Sequence, residues 1–172
     1  MKKSQINPMP HYFDRYINLI EDVELDEAMN NSLGELAGFD WDKCTQLGLN
    51  VYAPGKWTAP DILQHLLDWE RIMTYRALGF ARGAFSKATG HDENLMAQNA
   101  GANARSIADL VADMTALRHS TRLFFNSLSN LQLQQSGICW ESEMSALALG
   151  FTILGHQRHH FVILQERYFP LL

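Results

Sequence analysis

The 172 residues, 47% apolar and 19% charged, suit one globular domain over 1–172 with a sizeable buried core. Net charge is −5 with the histidines neutral, and beyond Lys2 and Lys3 the basic residues are scattered, so nucleic acid is not expected as a partner. No apolar run reaches the ~18 residues of a membrane span, and MKKSQINPMPHYF has no apolar stretch behind its lysines, so the chain reads as cytoplasmic, without a membrane partner.

In chain order, the first helical region is expected from about His11 to Ala37, with Tyr12, Tyr16, Leu19, Ile20 and Val23 on one stripe. A bend or break is expected around Glu21 to Asp26, where acidic residues crowd, and Gly38 supplies a stop. Phe39 to Trp57 reads as a linker over the bundle end with room for one short helix. The second helix has the clearest start: Thr58 as cap, Pro60 in the first turn and Asp61 as an early negative charge. It runs through Ile62, Leu66, Trp69, Met73 and Leu78 to about Ala81.

Arg82 to Asn103, rich in glycine and small polar residues, reads as a long loop. A third helix is expected over about Ala104 to Ser127, then a connection from Ser129 to Glu141. A fourth follows from Ser142 as cap to Tyr168, with Pro170 beyond it. No strand-like alternation of useful length appears. The pattern predicts an all-α fold, a four-helix bundle, and its connections of roughly 15–20 residues do not assure simple up-down-up-down topology. Cys44 and Cys139 lie outside any paired motif; reduced thiols are the simpler reading, and a disulfide between them stays open.

Histidine carries the chemistry. In GHQRHHF, His156 and His160 are four residues apart, so on a helix both imidazoles reach one point in front of one face. Leu149, Ile153 and Ile163 share that face, which turns the pair toward the core. Gln157 stands where a zinc protease helix would carry glutamate, so that class is not indicated. His65 shares an inward stripe with Ile62, Trp69 and Ile72 and is the third candidate ligand. Buried imidazoles need partners, and one divalent transition metal would serve all three. Three such ligands with one position left over describe an open, catalytic type of site. Ligand type alone does not choose among zinc, nickel, iron and copper. His159 falls on the flank of the pair, and His11, His91 and His119 carry no signal. Arg76, three turns on from His65, is a candidate for an anionic substrate group, or for a salt bridge to Glu70 or an acid of the first helix.

The segments WTAPDILQHLLDWERIMTYRALGFARG, ANARSIADL and ALGFTILGHQRHHFVILQERY resemble the DinB-like superfamily of metalloenzymes, and in particular its YfiT-like branch. HYFDRYINLIEDVELDEAMNNSLGEL and the YAPGKW turn fit the same branch. The resemblance implies an up-down-down-up four-helix bundle with long connections. It also implies a three-histidine site, generally for zinc or nickel, at His65, His156 and His160. Members with known activity are mostly transferases or isomerases using low-molecular-weight thiols, others are assigned as hydrolases, and many form homodimers. The D-E-N-like stretch at His91 to Asn94 makes Glu93 a candidate general base. The expectation is therefore a metal-dependent transferase or hydrolase acting on a small molecule. The alternative is a non-catalytic dimeric protein that binds metal or responds to stress.

Overall fold

The apolar stripe from Tyr12 to Val23 does not form one continuous helix. In a computed structural model describing residues 1–172, α1 covers Asp14–Ile17 and α2 begins only at Leu25, ending at Gly38. The break is thus at the acidic crowd between them. A short α3 (Trp41–Leu47), capped by Asp40, fills the expected linker. Thr58 and Asp61 exchange the reciprocal bonds of a capping box and start α4 (Ala59–Ala81). Beyond it come β1 (Lys87–Ala88), α5 (Glu93–Asn99), α6 (Ile107–Asn126) and α7 (Asn130–Gln134). Next are β2 (Ser136–Cys139), β3 (Ser142–Ser145) and α8 (Ala146–Ile163), with a π-helical turn over Leu164–Tyr168.

Side-chain registers give the helix directions. Leu25 faces Gly150, Gln157 donates to the Ser32 carbonyl, and Phe39 packs on Phe161 at 4.3 Å, so α2 and α8 run parallel. Asp26 binds Arg122 and Ser32 meets Arg118, so α2 and α6 run antiparallel. Gln64 accepts from Arg105 while Glu70 pairs with Arg118, which makes α4 and α6 parallel. Leu63 and Leu67 share a core cluster with Phe161 and Leu164, whereas Met73 and Phe80 join Ala146 to Leu154, so α4 and α8 are antiparallel. The bundle is therefore up-down-down-up, as the resemblance implied. Parallel neighbours cannot be joined by a tight turn, and the segment from Arg82 to Ser106 is the crossing that α4 and α6 require.

Three parts of the sequence reading are corrected. The crossing holds α5 and a strand, and it is not a plain loop. The last helix is capped by Ser145, whose side chain accepts from the Ala148 amide, because Ser142 lies in β3. A three-stranded sheet, with β1 parallel and β3 antiparallel to β2, went unforeseen. Its strands have two to four residues, and β2 inverts the usual pattern: Gly137 faces inward and Ile138 outward. A Cβ at Gly137 would fall 2.2 Å from the Phe80 ring, so only glycine lets β2 lie on α4. Cys44 and Cys139 are free, each buried in a different core cluster. Burial pushes the Cys44 thiol up to about 12.

Glu70 on α4 makes a two-pronged pair with Arg118 on α6, both contacts 2.9 Å, and Arg118 also binds Ser32 on α2. The two charged side chains are 5% and 3% exposed, so each depends on the other to offset lost hydration. Removing one partner strands a buried charge. Glu70→Ala should lower unfolding free energy by about 3–5 kcal/mol, and pairing Glu70→Leu with Arg118→Met should recover most of it. Urea titrations of the single and double variants measure both.

Candidate metal centre

His65 comes from the second turn of α4, and His156 and His160 from successive turns of α8. The antiparallel contact of these helices faces the two stripes toward each other. Gly155 sets how closely α1 can join them, since a Cβ there would lie 1.9 Å from the Tyr16 carbonyl oxygen. Tyr16 is thereby held edge-on to His156, with ring centroids 5.2 Å apart.

The three expected histidines converge. His65 Nε2 and His160 Nε2 each lie 3.1 Å from His156 Nε2, and one ligand atom from each of the three rings lies within 4.8 Å of the others. They are 7–8% exposed. Burial pushes the His65 pKa down to about 4 and, with mutual repulsion, holds His156 and His160 well below 6.5. All three are therefore neutral at pH 7. In a neutral ring, Nε2 carries either one hydrogen or one in-plane lone pair, so His156 Nε2 cannot make two full hydrogen bonds. A divalent cation facing three lone pairs resolves that conflict. Ligand nitrogens around a tetrahedral ion at 2.0–2.1 Å stand about 3.3 Å apart, near the 3.1 Å of the two contacts to His156. The donor set fits such an ion, with one departure: His160 Nδ1 is buried with no hydrogen-bond partner. His159, on the flank as expected, packs against Tyr16 and His160 outside the trio. Gln157 is turned away, toward Ser32.

Two clefts reach the trio. An aromatic cleft of about 260 Å³ leads to His156 between Tyr12, Tyr16, Trp69 and Trp140. A second, of about 210 Å³, leads to His160 beside Lys56, Trp57 and Tyr168. The first turn of α5 borders both, because Glu93 lines the first and Asn94 the second. Both further candidates, Glu93 and Arg76, thus line the aromatic cleft with His156. Arg76 forms neither of the ion pairs considered for it. Glu70 is taken by Arg118, and Arg76 Nη2 instead donates 2.7 Å to the Thr89 carbonyl.

Sequence reasoning missed part of this lining. His91, which carried no signal, also lines the cleft, and Trp140 reaches it from the β2–β3 turn. Tyr12 and Trp140 have positive φ, 73° and 55°, and their rings meet at 5.2 Å. Non-glycine residues held in that region cluster at ligand sites. Nothing in sequence spacing announces such backbone, and the available signal was only an aromatic-rich start facing one isolated tryptophan.

A family model described as the DinB superfamily matches residues 11–164. By structure the chain is similar to YfiT from Bacillus subtilis, with a TM-score of 0.68 and 15% identity over 92% of this chain and 87% of that one. That protein is described as a probable metal-dependent hydrolase with an unusual four-helix bundle topology. No curated protein matches the chain by sequence.

The depressed histidine pKa values have a consequence for stability. Below about pH 6.5 the unfolded chain takes up protons that the folded trio refuses, so this contribution is complete above 6.5 and is lost as pH falls toward 4. In metal-free protein, the stability gap between wild type and His65→Asn should change across that window and stay flat from pH 7 to 8. Urea unfolding across a pH series measures it, and a gap independent of pH would contradict the burial of a neutral His65.

Proposed function

The chain belongs to the DinB superfamily, and from that premise we propose a metal-dependent enzyme in which His65, His156 and His160 hold one divalent ion, zinc or nickel. It would act on a small molecule, as a hydrolase using water or as a transferase using a low-molecular-weight thiol. The observation that carries this reading is that three buried imidazoles converge and that two of them, His156 and His160, line clefts. A closed structural site takes four protein ligands, whereas three converge here, beside two clefts. The description of YfiT as a probable metal-dependent hydrolase supports the same class.

A divalent ion held there would lower the pKa of a small nucleophile and polarise the group it attacks. Glu93, exposed on the cleft rim at the first turn of α5, would accept the nucleophile's proton on a carboxylate oxygen. Tyr16 accepts a hydrogen bond from Arg15 Nη2 at 3.0 Å, and burial raises its pKa, so the phenol keeps its proton and can donate to developing negative charge. Tyr12, Trp69 and Trp140 limit water in the cleft and provide flat apolar walls for the substrate.

Natively purified protein should carry close to one metal ion per chain. Any single His→Ala change at the trio should cut metal affinity by more than the roughly 10–100-fold seen on losing an outer partner, while circular dichroism stays helical. Glu93→Gln should leave metal content unchanged and lower kcat by about 100-fold or more. Turnover of ester, amide and alkyl-halide panels, with and without added thiol, separates hydrolysis from transfer. Absence of metal-dependent turnover in every arm would leave a non-catalytic metal-binding protein.

A further inference from the structure

Arg76 is the buried charge for which the proposed metal chemistry has no use. It is 6% exposed, yet no carboxylate pairs with it and its one protein hydrogen bond goes to the Thr89 carbonyl. A guanidinium has five N–H donors, so most of them have no protein acceptor. Burying such a group without a counter-charge is unfavourable, and burial lowers its pKa. The other buried arginine of the bundle shows the usual remedy, since Arg118 has Glu70.

Its position is as informative as its isolation. Arg76 lines the aromatic cleft that leads to His156, and its guanidinium carbon lies 5.4 Å from the Trp69 ring centroid. It also lines a neighbouring outer cleft of about 680 Å³, together with Arg71, Lys87 and His91 and with no acidic residue. Arg71 is offset by Asp113 and Asp68, whereas Lys87 has no carboxylate partner. The field over this face therefore favours an incoming anion. Glu93 sits on the Tyr16 side of the cleft, near enough to raise that phenol's pKa, and forms no ion pair with Arg76.

We propose that Arg76 is the anion subsite of the aromatic cleft, selecting small organic anions, a carboxylate or phosphate ester on a flat apolar body. The anionic group takes the free guanidinium donors in a two-pronged bond, the body lies between Trp69, Tyr12 and Trp140, and the reactive end points to His156. This deepens the enzymatic reading above and rests on the aromatic cleft being the substrate cleft.

The test is calorimetric titration of full-length protein, metal-loaded and metal-free, with benzoate, phenyl phosphate and the neutral analogue benzamide. In both metal states at least one anion should bind wild type more tightly than benzamide. Arg76→Met should weaken that anion about 10- to 100-fold, Arg76→Lys should weaken it less, and benzamide should be unaffected. In wild type the Trp69 indole NMR signal should shift at lower concentrations of the anion than of benzamide, which keeps the test intact if Arg76→Met does not fold. Equal anion affinity for wild type and Arg76→Met would overturn the proposal. So would anion binding confined to the metal-loaded protein, which would place the anion on the ion. Because the metal-free arm involves no turnover, failure of the subsite and failure of the metal-enzyme reading give different results.

Discussion

Imidazole lone pairs cannot be left facing one another in an apolar interior, and the chain must meet this constraint at the helix contact that carries its three buried histidines. Three neutral rings meet where α4, α8 and α1 touch, and each helix is held there by something independent of the rings. The Thr58 capping box fixes the start of α4. Gln157 ties α8 to α2 one residue beyond His156. Gly155 lets the Tyr16 backbone lie directly on α8. The helices around the trio are therefore positioned by contacts other than those of the rings themselves. That is the arrangement expected of a preorganised site, whose geometry is maintained by its packed neighbours.

The direction of the helices explains why the site is reached by clefts. An up-down-up-down bundle closes its ends with tight turns. Here α4 and α6 are parallel, so the chain must travel the length of the bundle between them. That return segment supplies Thr89, His91, Glu93 and Asn94, which line the clefts or anchor their walls. The β2–β3 hairpin serves the opposite wall, where Ser142 Oγ donates to the His11 carbonyl at 2.8 Å and Trp140 meets Tyr12. Helices thus carry the converging nitrogens, while the connections line the clefts that lead to them.

Much of the fold and the trio was legible because both rest on local rules. Thr58, Pro60 and Asp61 announce a helix start by their own chemistry, and α4 begins and ends where expected. His156 and His160 meet because any helix brings i and i+4 together, and the apolar neighbours gave the inward direction. The partnership with His65 was inferred from matching faces alone. What escaped depends on contacts between distant parts of the chain. Ile138 faces solvent and Gly137 the core, so β2 looked like connection. Arg76 shares a helix with Glu70, yet the carboxylate belongs to Arg118, a choice made by the parallel packing of α4 and α6. Tyr12 and Trp140, both with positive φ, likewise meet from segments far apart in sequence.

The distance along the chain between His65 and His156, 91 residues, bears on how the protein comes to be built. Contacts that close long loops form late in folding, after local helices and their nearest packing partners. His156 and His160 are one helical turn apart and are brought into register as soon as α8 forms, but the third nitrogen arrives only when α4 docks against it. For the metal site proposed above, a newly made chain would therefore offer an incoming ion two nitrogens before it offers three. Completion of that site would then wait on the docking of α4 against α8, the step that joins distant parts of the chain.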